Sequence, residues 1–368
     1  MARNRVIYQS EGLYVSTDAS VTAVGSHKQL DRIQSANYNF SIARQDINQF
    51  GQLSRIDTLV LEAPTVNLDL SYYLTDGVNE RALGFLTNNA GSFLSGHMTS
   101  TSGKNLFIIS TKEGIDATTL VNGDTVSAIG IGNAYLSNYS AELSIGSIPT
   151  VSASFEGANI CSKDSCAYNG TNITTVTHPA IKQEDGSIYT ATTVTLPKLT
   201  TGNSSITALR PGDITLSFGG FESGSIGTSS PFSAMGGNSG IHIQSASIAI
   251  PLSRTPLQRL GSKFPFARTV DFPVKSTVSV KAILNEIQSR NLAEMLNDST
   301  EKDIIITLNQ EGTTTAKVQY IFKGCTLDSE SFSSSIGSNK TVDLTFSTQV
   351  GSIDDTTKGI FVNCANTQ

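Results

Sequence analysis

The sequence lacks several features on which large classes of function depend. Its 368 residues include no Trp, four Cys and four His, and only 15% of them are charged. The net charge of −6 argues against a protein that binds nucleic acid by neutralising phosphates. No apolar run approaches the roughly 20 residues of a membrane span, and residues 1–8 lack the apolar core of a cleaved export signal. The composition therefore predicts a soluble chain of about two domains.

The scarcity of cysteine and histidine argues against a metal centre and against catalysis. Cys161 and Cys166 are the only close pair, whereas zinc needs a second pair or spaced histidines. A disulfide between them and two idle thiols are the alternatives. Gly130-Ile131-Gly132 lacks the third glycine of a dinucleotide motif, so we expect a turn at a strand end. No nucleophile elbow stands between a strand and a helix, so we expect no enzyme and no cofactor.

Alternation of apolar and polar residues dominates what is present. Such runs occur at 38–42, 66–70, 278–280 and 342–346. A period of two predicts strands with one buried face. Helical spacing occurs at 79–86 and 283–296. The sequence therefore predicts a mainly β chain with one helix in each half.

Four blocks of the first half recur in order in the second half. Ile-Gln-Ser-Ala at 33–36 returns at 243–246, and 144–155 matches 335–346 with seven of twelve positions identical. Chance explains one such block but not four collinear ones. We therefore expect a tandem duplication of β-sandwich or barrel domains. The predicted units are a first domain at 1–157, a β-rich insert and linker at 158–239, and a second domain at 240–368. Within the insert, 189–199 and 214–218 predict strands, and 219–240 predicts a loop.

Parts of both repeats resemble the tail tube (major tail) proteins of tailed bacteriophages. Residues 134–156, from Ala-Tyr-Leu-Ser-Asn-Tyr-Ser to Ser-Phe-Glu, are similar to the closing strands of that family. The stretch from Arg44 through Gly51 to Leu68 is similar to its long hairpin, and residues 5–16 resemble the opening of virion tail proteins.

The resemblance implies a structural protein of the virion tail, assembled in the host cytoplasm and without a membrane partner. Family members form hexameric rings of β-sandwich domains with one helix, stacked into a tube through which the genome passes. A duplicated chain would form trimeric, pseudo-hexameric rings. The implied partners are further copies, other tail proteins (sheath, tail tip or baseplate, terminator), and viral DNA passing without sequence-specific binding. The negative net charge agrees with an acidic lumen.

The alternative is a two-domain β-sandwich binding module of a tail tip or decoration protein that recognises a host receptor or glycan. The absence of Trp weakens this alternative, because sugar-binding platforms commonly use that residue. The two hypotheses differ in assembly. A tube protein polymerises, whereas a binding module stays monomeric or forms a small oligomer.

Equivalent hairpin segments carry opposite charge. Segment 44–71 has two arginines against four carboxylates, a net charge of −2, and segment 254–281 has six cations against one carboxylate, a net charge of +5. Our hypothesis is that neighbouring copies pair through these charges, and independent drift of solvated charges is the alternative. The candidate assembly residues are Arg44, Asp46, Asp57, Glu62, Arg254, Arg259, Lys263 and Arg268. Normal tubes from a chain with Arg259 and Lys263 changed to glutamate would contradict the hypothesis.

Overall fold

The chain folds into a mainly β structure, with 59% of the described residues in strands and 6% in helices. The computed structural model describes residues 11–61, 63–99, 103–112, 114–182, 187, 189, 192–201, 209, 214–219, 241–261, 264–284, 301–310, 313, 315–333 and 341–365. The mainly β fold class predicted from the alternation of apolar and polar residues is confirmed.

The described elements are short helices and strands of 4 to 20 residues. The strands are β1 (Glu11–Ser16), β2 (His27–Leu30), β3 (Ile33–Ser41), β4 (Arg44–Ile47), β5 (Asp57–Val60), β6 (Thr65–Tyr73), β7 (Lys104–Ser110), β8 (Thr125–Ser144), β9 (Thr150–Gly157), β10 (Asn159–Ala167), β11 (Asn172–Thr177), β12 (Thr193–Pro197), β13 (Ile214–Gly219), β14 (Ile241–Pro251), β15 (Arg254–Leu257), β16 (Ala267–Val270), β17 (Lys275–Leu284), β18 (Lys302–Asn309), β19 (Ala316–Ser333), β20 (Thr341–Gln349) and β21 (Gly359–Cys364). The helices are α1 (Val78–Leu83) and α2 (Ser95–Met98), with 3-10 turns at Val24–Ser26 and Ala117–Thr119.

The helix predicted near residue 79 is confirmed as α1. It ends at Leu83 because Gly84 adopts φ 100°, a left-handed conformation that favours glycine. The helix predicted at 283–296 is wrong at Ile283, which belongs to β17, and 285–296 lies outside the described residues. Strand β12 falls within the stretch predicted at 189–199, and β13 covers the stretch predicted at 214–218 and continues to Gly219. The rest of the loop predicted at 219–240 lies outside the described residues.

The turn predicted at Gly130-Ile131-Gly132 is wrong, because these residues lie inside β8. Pro179 packs directly on this stretch of the strand. A Cβ on Gly132 would overlap the Pro179 carbonyl oxygen, and a Cβ on Gly130 would lie 3.0 Å from the Pro179 ring. The glycines are therefore explained by close approach of another segment, which is a common reason for glycine inside a strand.

Eight antiparallel strands form one continuous layer that crosses both halves of the sequence. The order is β3-β6-β9-β8-β14-β17-β20-β19, and we call this layer the central sheet. The contact between β8 and β14 joins the strands of the first half to those of the second. The two halves therefore share one sheet.

A second layer packs over the central sheet at each end, and the main core lies between the layers. The beginning of β8 pairs with β7 and β10, and β1 and β2 extend that layer. The beginning of β19 likewise pairs with β18 and β21, with β13 beyond β18. Apolar residues of both layers, such as Ile108 and Leu68, share one core. The arrangement has the character of a β-sandwich.

The strand pairings of the first half recur in the second half with the same register. Ala36 of β3 faces Leu70 of β6, and Ala246 of β14 faces Val280 of β17, each 210 residues later. The other recurring pairs are β1–β7 with β13–β18, β4–β5 with β15–β16, β6–β9 with β17–β20, β7–β8 with β18–β19, β8–β9 with β19–β20, and β10–β8 with β21–β19. Strand β10, which the sequence placed in the insert, therefore has a counterpart in β21.

Register irregularities recur as well. The irregularity between Ile33 and Ser35 of β3 recurs between Ile243 and Ser245 of β14. The one between Lys104 and Leu106 of β7 recurs between Lys302 and Ile304 of β18. The one between Leu136 and Asn138 of β8 recurs between Leu327 and Ser329 of β19. A β-bulge bends its strand and is a positional feature of a fold. Bulges at matching places therefore give the two halves the same local curvature.

Candidate assembly surfaces

Strands β8 and β14 meet in the middle of the central sheet, and we call this contact the inner junction. Seven residue pairs run from Ser144–Ser245 to Asn138–Pro251. At its centre Ile248 lies opposite Ala141, and the two residues are 1% and 0% exposed. The inner junction is therefore part of the core.

A buried polar network crosses from one half to the other beside the inner junction. The hydroxyl groups of Tyr139 and Tyr320 lie 2.8 Å apart, and Tyr72 donates to Glu80 Oε1 at 2.8 Å. Burial raises the pKa of Glu80, and hydrogen bonds from Tyr72 and Tyr139 oppose that rise. Sequence reasoning missed this network, because nothing in the local pattern marks one glutamate of a short amphipathic helix as buried.

A segment before α2 also joins the halves through backbone hydrogen bonds. The amides of Asn89 and Phe93 donate to carbonyls of β21, and the Cys364 amide donates to the Thr87 carbonyl at 2.9 Å. Residues 87–93 thus cover an edge of β21.

Arginines at the base of the β15–β16 hairpin contact the first half. Arg254 Nη2 donates to the His97 carbonyl at 2.8 Å, and its guanidinium carbon lies 5.0 Å from the centre of the Tyr135 ring. Arg268 lies 3.5 Å from Glu156 and is itself buried. Burial, together with the nearby cations Lys104 and Arg254, lowers the pKa of His97 to about 3. Two of the predicted assembly residues therefore act within the chain.

Four other predicted assembly residues, Arg44, Asp46, Asp57 and Arg259, lie on exposed hairpins. Arg44, Asp46 and Asp57 are exposed on β4–β5, where Asp46 forms an ion pair with Arg55 at 3.1 Å. Glu62 and Lys263 lie outside the described residues. The tip of the first hairpin also exposes Phe50 and Leu53 completely, and that of the second exposes Leu260. Arg259 lies 5.9 Å from the Phe266 ring centre.

The central sheet ends in β3 on one side and in β19 on the other, and we call these strands the outer edges. Among the described residues, β6 is the only strand paired with β3, and β20 is the only one paired along 329–333 of β19. The apolar side chains here are exposed, with Tyr38 at 42%, Phe40 at 58% and Phe332 at 47%. The prediction that the alternation at 38–42 marks a buried face is therefore wrong for the single chain.

One face of the central sheet is covered by small polar side chains. Hydrogen bonds cross this polar face between strands: Asn67 to Asn39 at 3.2 Å, Ser35 with Ser71 at 2.6 Å, Ser154 to Asp69 at 2.6 Å, Ser279 with Thr345 at 3.3 Å, and Ser333 with Thr341 at 2.6 Å. Its carboxylates, Asp69, Glu142, Glu156, Asp328 and Asp343, outnumber its lysines, Lys275 and Lys281, together with Arg268, which contacts Glu156. The polar face is therefore hydrophilic and net negative.

Cys161 and Cys166 are free thiols, so the structure has no disulfide between them. Both lie in β10, where an irregularity between Lys163 and Cys166 leaves them opposite Gly130 and Val126, four residues or about 13 Å apart along β8. A disulfide needs Cα atoms within about 7 Å. Burial raises the pKa of Cys161 to about 11, which favours the protonated thiol.

Within the part of the chain that the structure describes, no cluster of three His, Cys, Asp or Glu side chains could hold a metal ion. None of the described helices is long and apolar enough to cross a membrane. The chain matches no protein-family model, and no characterised protein is similar to it at a significant level.

Proposed function

We propose that this chain is a structural subunit of a bacteriophage tail tube, built from two tandem domains and assembled as stacked rings of three chains. The proposal rests on the sequence resemblance and on the recurrence of strand pairings and bulges in the two halves. In this account β1 and β3–β10 form the first domain, and β13–β21 form the second. Strands β11 and β12 decorate the first domain.

The observation that carries the proposal is the inner junction. It joins two equivalent sheets side by side, edge to edge, into one layer. Repeating that contact adds further domains to the same layer, and a heterologous contact of this kind closes into a ring when its rotation permits. A ring also removes exposed sheet edges, which otherwise promote aggregation.

The polar face suits the wall of a channel for DNA. Three chains of eight central strands each would build a barrel wider than the 16–18-stranded barrels that already enclose an aqueous channel. Its Ser, Thr and Asn side chains satisfy one another across strands, and its excess of carboxylates repels phosphate. DNA would therefore pass through without sequence-specific binding. The number of three chains comes from the resemblance.

Negative-stain electron microscopy of the purified 39.0 kDa chain, with native mass determination, tests the proposal. We expect stacked rings or tubes and a trimer as the smallest closed species. A closed hexamer of this chain would overturn the trimer but retain the tube. A chain that remains monomeric at high concentration, even with tail-tip components as a seed, would contradict the tube and favour the binding module.

A further inference from the structure

We propose that the ring closes by β-strand addition between the outer edges, with β3 of one chain pairing antiparallel to residues 329–333 of β19 in a second copy. This inference rests on the proposed ring and names its contact surface and register. The inner junction supplies the template, because each outer edge is the structural counterpart of one of its two strands.

Strand β3 is the counterpart of β14. Each strand contains a bulge at the same place, between Ile33 and Ser35 in β3 and between Ile243 and Ser245 in β14. Residues 210 positions apart also have equivalent partners: Tyr38 pairs with Leu68, and Ile248 pairs with Val278. In the chain, the far edge of β14 is paired with β8. The far edge of β3 therefore has the geometry to accept an equivalent strand.

The last part of β19 is the counterpart of the last part of β8. Leu136 faces Phe155 just before the bulge in β8, and Leu327 faces Phe346 just before the bulge in β19. Residues 138–144 of β8 hold β14. The equivalent residues of β19 begin at Ser329, so this stretch is the surface that should hold β3.

Transferring the register of the inner junction predicts the new pairs residue by residue. Ile248–Ala141 becomes Tyr38–Phe332, and the full set is Asn37–Ser333, Tyr38–Phe332, Asn39–Ser331, Phe40–Glu330 and Ser41–Ser329. Directly opposed residues of antiparallel strands share one face of a sheet. The pairing therefore buries Tyr38 against Phe332 on the apolar face.

The exposure of side chains agrees with this register. Ile248 and Ile250 of β14 are buried, whereas their counterparts Tyr38 and Phe40 on β3 are more than 40% exposed. An apolar alternation at an open strand edge is unusual, since sheet edges are commonly protected by charge, proline or cover. A second copy accounts for it, because Tyr38 and Phe332 would then cover each other, while Phe40 would face Glu330.

The polar face continues across the same pairs. Asn39 already accepts a hydrogen bond from Asn67, and Ser333 exchanges one with Thr341. Pairing Asn39 with Ser331, and Asn37 with Ser333, would connect these two hydrogen-bonded rows. A shift by one residue would instead set Tyr38 opposite a polar-face residue of the neighbouring chain and join the apolar face of one chain to the polar face of the next.

The test is disulfide trapping in the full-length chain. The variant Asn39→Cys with Ser331→Cys places one thiol at each outer edge, on exposed polar positions. Directly opposed strand residues lie close enough for a disulfide. We expect mild oxidation of assembled protein to give linked trimers on denaturing gels. The control Asn39→Cys with Glu330→Cys is one residue out of register, and the unmodified chain controls for its four native thiols.

At least tenfold more linked product from the matched pair than from the shifted pair would support the register. Equal linking in both, or rings that form without linking in the matched pair, would overturn the strand pairing and leave the proposed tube standing. A chain that forms neither rings nor links would contradict the tube and this inference together.

Discussion

The inner junction and the outer edges present the same kind of strand in two environments. At the inner junction Ile248 is 1% exposed, whereas its counterpart Tyr38 at the outer edge is 42% exposed. The pairing of β3 with β6 has the same register as the pairing of β14 with β17. An alternation of apolar and polar residues therefore predicts which side chains share an apolar face, but it does not predict whether the same chain buries that face.

The largest difference between the inner junction and the outer edge is expected from a matched pair of substitutions. Ile248→Asp buries an unpaired carboxylate, and we expect it to destabilise the monomeric chain by about 3 kcal/mol or more. Tyr38→Asp changes an exposed side chain, and we expect a change within about 0.5 kcal/mol together with loss of rings. Urea unfolding of the monomer and sedimentation velocity of the assembled protein measure the two effects.

The conservative changes Ile248→Val and Tyr38→Phe provide the controls and should retain assembly. If Tyr38→Asp lowers the stability of the monomer as much as Ile248→Asp does, the outer edge is already covered within the chain. The contrast between the two regions would then be lost.

The second prediction concerns pH, because His97 lies beside the inner junction. Its pKa is about 3 in the folded chain against an ordinary 6.5, so the unfolded chain binds the extra proton between those values. This contribution to stability is complete above pH 6.5 and is lost as the pH falls toward 3, by up to about 1.4 kcal/mol per pH unit.

Glu80 acts in the opposite direction, since its raised pKa gives stability below pH 4.5 that is lost as the pH rises. Denaturant unfolding of the chain and of His97→Gln between pH 3.5 and 7 isolates the histidine. The slope of unfolding free energy against pH should fall in the variant. His27 and His178, whose pKa values burial also lowers, should keep a residual slope of the same sign. Identical slopes would show that His97 is not buried in the neutral form.

The third prediction sharpens the comparison through the tyrosine pair across the halves. Tyr139→Phe and Tyr320→Phe each remove one partner of the same hydrogen bond, so their effects should couple by about 1 kcal/mol in a double-mutant cycle. Tyr14→Phe is the matched control, because Tyr14 donates to the Pro197 carbonyl away from the inner junction. Its effect should add to that of Tyr139→Phe. Additivity of the Tyr139 and Tyr320 changes would contradict a contact between the halves.

A small effect on folding is expected on the polar face. Asp69→Lys with Glu142→Lys should leave assembly intact and change stability by less than about 1 kcal/mol, because Asp69 accepts only one side-chain hydrogen bond and Glu142 is exposed. Phosphate would then be attracted instead of repelled, and DNA ejection through the assembled tails should slow. Thr65→Lys with Ser152→Lys adds two lysines to the same face without replacing a carboxylate, and it serves as a comparison. We expect it to slow DNA ejection less. Unchanged ejection in both would argue against this face lining the channel.

Sequence predicted the strands and the repeat because both follow from local patterns. Val66, Leu68 and Leu70 alternate and are buried, and the blocks at 33–36 and 243–246 stand at equivalent registers. The inner junction could not be predicted, because strand neighbours 100 residues apart carry no local signal. The same limit hid Glu80, whose burial depends on Tyr72, Tyr139 and the second half of the chain.

Misplaced predictions have equally physical causes. Glycine at 130 and 132 suits a turn, but here it admits Pro179 beside a strand. Opposite charge on two hairpins suggested pairing between copies, yet Arg254 and Arg268 already contact the first half of their own chain. A count of charges along the sequence does not show which of them the fold has already paired.

In the proposed ring, the outer edges of neighbouring chains meet as β8 and β14 do at the inner junction. Electron cryomicroscopy of assembled rings tests it most directly. The account predicts one continuous sheet around the channel, with β3 of each chain beside β19 of the next and Tyr38 opposite Phe332. Rings in which β3 faces solvent, or pairs with any other strand, would contradict it.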